Sequence, residues 1–119
     1  MIRAALAALA LCVMVSTAHG GQIVAHPRGC PPREFCACGA AVEIFHAPIK
    51  ALWRAAAWFK FPRSSPAPRT VAVHRHHVFV LLSHVHGNIW RVFDANSGHH
   101  LTRVHDRSIA GWTIVDPER

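Results

Sequence analysis

Two hydrophobic periods succeed each other along this chain, and the change falls at a proline-rich break. "FCACGAAVEIFH" carries small and apolar residues at the spacing of a short buried helix, ended by Pro48. In "IKALWRAAAWFKF", Ile49, Leu52, Trp53, Ala56 and Ala57 recur at helical spacing, which predicts a second, amphipathic helix with Lys50, Arg54 and Lys60 outside. "PRSSPAPR", residues 62–69, is then a loop. Beyond it the apolar positions follow strand spacing. "TVAVH", "HVFVLL", "NIWRVFD", "HLTRVH" and "GWTIVD" read as strands, the second buried on both faces, with Gly87 and Asn88 as a hairpin turn and "DRSIA" as a turn or short helical connection. Two N-terminal helices packed on an antiparallel sheet of about five strands make an α+β plan.

Upstream of this pattern the residues serve other purposes. Arg3, an apolar run from Ala4 to Val15, and the small residues through Ala18 have the order of a secretory signal peptide, residues 1–18. The run is shorter than the ~20 residues a membrane span needs, so no stable membrane anchor is expected. Residues 19–32, rich in Gly and Pro, read as an extended lead-in to a single domain over residues 33–119. The expected compartment is extracellular or periplasmic. About 100 mature residues suffice for one small core, expected as a monomer.

Charge changes the picture little. The chain carries 13 basic and 6 acidic residues; without Arg3 the formal charge is +6. The basic residues are scattered, as on a solvated surface. Export excludes nucleic acid as the natural partner and leaves an anionic envelope polymer as a fitting one.

Cysteine changes it more. Cys30, Cys36 and Cys38 follow the leader, and an odd number in an oxidising compartment leaves one thiol over. Cys36 and Cys38 both lie where the first helix should begin, and there the positive end of the helix dipole favours a thiolate. His77 stands at the entrance to the second strand and Asn96 just beyond the third, so a hairpin at Gly87–Asn88 brings imidazole and amide to one end of the sheet. A histidine oriented by an amide and aimed at a thiol is the arrangement a cysteine nucleophile needs.

The order of these parts resembles the papain-like CHAP and NlpC-type cysteine amidases and peptidases of bacterial cell walls. "EFCACGAA" is similar to their cysteine-and-small-residue helix start, "APRTVAV" to the segment before the base, "HHVFVLL" to the His-Val pair opening a hydrophobic strand, and "DANSG" to the polar residue one strand later. The likeness runs from about Phe35 to Val115. Two positions depart from it: Arg69 stands where a glycine is frequent, and His76 precedes the base. The resemblance implies a papain-like fold and a catalytic set of Cys36, His77 and Asn96, acting without metal or cofactor on amide bonds of peptidoglycan peptide or a related peptide. With Cys36 as the free thiol, Cys30 can pair with Cys38; a Cys30–Cys36 bridge would instead leave Cys38 as nucleophile.

Two rival readings use the same residues. Eleven histidines, several in pairs such as His74/His76 and His84/His86, suit a histidine-rich metal-binding protein, although no spacing matches a structural zinc pattern. A domain of the same plan without activity would bind wall fragments or a partner. Trp53, Trp58, Trp90 and Trp112 are read mainly as packing residues, with room for one to stack beside a cleft.

Overall fold

The computed structural model describes residues 21–119; the expected signal peptide and Cys12 lie outside the described residues. Six antiparallel strands form one sheet: β1 (Gln22–Val24), β2 (Val71–Val73), β3 (Val78–His86), β4 (Ile89–Asp94), β5 (Thr102–Ser108) and β6 (Thr113–Val115), in the order β1-β5-β4-β3-β2-β6. With helix α1 (Cys36–Phe45) this is an α+β architecture. No helix among the described residues is long and apolar enough to cross a membrane.

Alternation along β3 decides which side each residue serves. Val78 and Val80 join Val71, Val73 and Val115 under α1, together with Ala37, Ala40, Ala41 and Ile44 from the helix. Phe79 and Leu81 point the other way, into a second cluster with Ala72, Trp90, Val92, Ile109 and Ile114. Both sides of β3 are therefore apolar, as the unbroken run "HVFVLL" predicts.

α1 lies close on the sheet because its facing residues are small. A Cβ added to Gly39 would stand 2.4 Å from Cβ of Ala95 and 3.0 Å from Pro27, so only glycine lets the helix approach the end of β4 this closely. The helix stops at His46, whose left-handed φ of 60° lets its N–H bond to the Val42 carbonyl. A disulfide joins Cys30 to Cys38, with Cα atoms 5.8 Å apart, and leaves Cys36 as the free thiol among the described residues. Closing so short a loop restrains the unfolded chain by about 2–3 kcal/mol. The bridge is compatible with an extracytoplasmic protein.

Three expectations need correction. The helices do not lead the fold, because β1, inside the expected lead-in, precedes α1 and pairs Ile23 with Arg103 of β5. Three residues without a clear alternating pattern gave no local signal of that pairing. The sheet accordingly has six strands among the described residues, against about five expected. The second amphipathic helix is instead two short 3-10 segments, Lys50–Leu52 and Ala55–Lys60, split at the extended Arg54. The reason lies in two indoles: Trp53 Nε1–H donates to the Pro48 carbonyl at 3.2 Å, and Trp58 Nε1–H to the Leu52 carbonyl at 3.0 Å. A continuous α-helix would use the Leu52 carbonyl for its own N–H four residues on. Trp58, wholly buried near Phe45 and Phe61, needs that oxygen for its otherwise orphaned donor.

Candidate active site

α1 begins at Cys36 with an unusual gap. Phe35, in the capping position, offers no side-chain acceptor, so the first-turn N–H groups have no side-chain cap. Cys36 as a whole residue is 7% exposed, and its Sγ lies 3.9 Å from the His76 carbonyl oxygen. It opens on a cleft of about 660 Å³ whose lining also includes Glu34, Trp53, Arg54, Arg75, His76 and Asn96. Trp53 is thus a cleft residue, while Trp58 and Trp90 are core.

His77 immediately precedes β3. Its Nε2–H donates to Asp94 Oδ1 at 2.7 Å, so that the bond to the carboxylate is made by Nε2 and not by Nδ1. Asp94 is wholly buried and accepts two more bonds on Oδ2, from His105 Nε2 at 2.8 Å and Arg107 Nη1 at 2.9 Å. Arg107 is itself set over the rings of Phe79 and Trp112, at 4.3 and 5.1 Å from their centroids. A buried carboxylate is stable only when its charge is matched and its lone pairs are occupied. Here three donors do both.

The electrostatics follow from that arrangement. Burial pulls the His77 pKa down, but hydrogen bonding to Asp94 and to Cys36, together with the Asp94 charge, outweighs it and raises the value to about 9. Burial in turn pushes Asp94 up, and its bonds to His77 and His105 with the nearby Arg107 charge bring it below its ordinary value. The buried carboxylate thus favours the charged form of the His77 ring.

Asn96, expected beside the imidazole, is not its hydrogen-bond partner in the structure; Asp94 is. The sheet register shows why. Val80 faces Phe93 and Leu81 faces Val92, whereas His86 faces Ile89, with irregularities between Leu81 and Ser83 and between His84 and His86. Extending the Val80 register sets His77 across from Asn96 and diagonal to Asp94 on the same face. Asn96, however, has left the strand with a φ of 56°, while Asp94 is the last residue still in it. The amide lines the cleft with Cys36 instead. Asp94, His105 and Arg107 went unnoticed because "DANSG" reads as a turn and the other two residues alternate along a strand like any polar pair. The detectable signal was an aspartate ending an otherwise apolar strand.

His76 and His77 also separate clearly. His76 is exposed and supplies a backbone carbonyl near Sγ, while of the two only His77 reaches Asp94. Arg69 accounts for its own departure from the glycine pattern: its φ is 74°, a conformation glycine adopts freely. It is held there by bonds to the Ile44 carbonyl and to Glu118.

Among the described residues no three His, Cys, Asp or Glu side chains are grouped to hold a metal ion. Compared with protein-family models, curated proteins and solved structures, the chain matches none.

Proposed function

We propose that this chain is a secreted cysteine amidase or peptidase of papain-like plan, with Cys36 as nucleophile, His77 as proton carrier and Asp94 as the group that orients the imidazole. The observation that carries the reading is the free Cys36 at an uncapped helix start, beside a histidine whose far nitrogen is fixed by a wholly buried carboxylate. By resemblance, the substrate is an amide of peptidoglycan peptide or a related peptide.

In this cycle the Cys36 sulfur attacks the acyl carbon as a thiolate, with the proton on His77. The Cys36 backbone N–H, free of any side-chain cap, stabilises the developing oxyanion. The C–N bond breaks as His77 gives its proton to the leaving amine. Water then adds to the thioester and returns a proton to His77; the acid leaves and the sulfur is restored. Asp94 keeps Nε2–H engaged throughout, so that Nδ1 faces the sulfur, and Asn96 is left on the substrate side.

Iodoacetamide labelling of the protein with its disulfide intact, read by peptide mass, tests this. Cys36 should alkylate at pH 6 about tenfold faster in the wild type than in His77→Ala, since the reactive species is the thiolate held by its imidazolium partner. Equal rates in the two proteins would overturn the reading.

A further inference from the structure

The cleft around Cys36 also says something about what enters it. Five arginines among the described residues have guanidinium groups bonded within the fold: Arg69, Arg91, Arg103, Arg107 and Arg119. The other five, Arg28, Arg33, Arg54, Arg63 and Arg75, make no such bond; of these, Arg54 and Arg75, both exposed, are the two that line the cleft containing Cys36. They reach it from separate elements, Arg54 from the extended break between the two 3-10 segments and Arg75 from the turn joining β2 to β3.

Neither position is an accident of a solvated face. Arg54 stands where the two indole bonds interrupt the expected helix, and the same interruption brings Trp53, Ala55 and Ala56 into the lining. Arg75 lies in a turn closed by the His74 N–H bonding to the His77 carbonyl, one residue from His76, whose carbonyl lies by Sγ. Two guanidinium groups without internal acceptors, beside one nucleophile, form a receptor for a planar anion, since their N–H forks match a carboxylate. Glu34 adds one negative charge to the same lining. That charge favours a ligand with a single placed carboxylate over a diffuse polyanion.

We infer that Arg54 and Arg75 bind a carboxylate of the substrate close to the scissile amide, so that the preferred substrates are acidic peptides. The inference rests on the assignment of Cys36 as nucleophile. It names which amides are selected, and it gives the two cleft arginines a role that folding does not require.

Two alkylating agents that differ by one charge make the test. Iodoacetate and iodoacetamide are compared at Cys36 in the wild type, in Arg54→Gln/Arg75→Gln and in Arg54→Lys/Arg75→Lys. The attraction of the imidazolium for iodoacetate is common to all three proteins and cancels. The ratio of iodoacetate to iodoacetamide rates should fall about fivefold or more in the Gln pair, stay nearer wild type in the Lys pair, and shrink in high salt. A ratio unchanged within about twofold in the Gln pair, with iodoacetamide still reacting fast, would overturn carboxylate selection while leaving the nucleophile in place. Slow iodoacetamide labelling that ignores His77 would overturn both.

Discussion

The two ends of the β3–β4 hairpin are both rich in histidine and behave differently. At the turn, His84 and His86 stand on exposed strand beside Gly87; His84 bonds to the Gly87 carbonyl at 2.8 Å and tilts against Trp90 at 5.0 Å. At the other end His77 is 24% exposed in its side chain and lies against a carboxylate that water does not reach. The residue type is the same; the surroundings differ in one buried charge. An imidazole gains a defined protonation state and a fixed direction from such a partner. Histidine content therefore reveals little of chemistry in this chain, and the position of Asp94 reveals much.

The strongest way to break that contrast is to remove the carboxylate. Asp94→Ala should cost about 3–5 kcal/mol in urea unfolding, because it leaves Arg107 and His77 facing an uncharged cavity. It should also abolish the fast labelling of Cys36. Asn96→Ala, at the edge of the cleft, should change labelling by less than about twofold and stability by less than about 1 kcal/mol. An Asn96 effect as large as that of Asp94 would return the orienting role to the amide.

The second way is by pH. His77 has its folded value raised from 6.5 to about 9, so its contribution is complete below pH 6.5 and is lost as pH rises through 9. Asp94 is lowered, so its contribution is complete above the ordinary carboxylate range and is lost as pH falls through its depressed folded value. Between about pH 4 and 6.5 both act together. Unfolding free energies should therefore drop by about 2–3 kcal/mol between pH 6 and 9.5 in the wild type, beyond any change in His77→Gln, where a neutral donor replaces the imidazolium. Identical pH profiles for the two proteins would show that the Asp94 partnership does not stabilise the charged ring.

The smallest effect sharpens the comparison from the other end. His84→Ala with His86→Ala should shift stability by no more than about 0.5 kcal/mol and leave both the pH profile and the Cys36 labelling rate unchanged. A larger loss would mean that the hairpin tip supports the distant site.

Much of this was legible in local pattern. Apolar spacing located α1 and the strands from Val71 to Val115, and the small residues after Phe35 marked a helix able to lie close on a sheet. The cysteine count implied one spare thiol in an oxidising compartment. These features depend on residues near one another in the chain, where periodicity, turn chemistry and covalent arithmetic act directly. The site was legible only in part: Cys36 and His77 were visible as candidates, the partner of His77 was not.

What local pattern left open, long-range contact decided. Two irregularities in the β3–β4 ladder set His77 diagonal to Asp94, and the turn at Asn96 carried the amide away from the ring. The indoles of Trp53 and Trp58 took carbonyls that helical spacing had assigned to backbone, splitting the expected second helix and placing Arg54 on the cleft. β1 found its place only through pairing with β5, some 80 residues away. The sequence by itself determined α1, the strands from Val71 to Val115 and the chemistry available. Which groups meet was settled by burial, because a buried carboxylate or indole N–H must find its partner wherever the packed chain brings one.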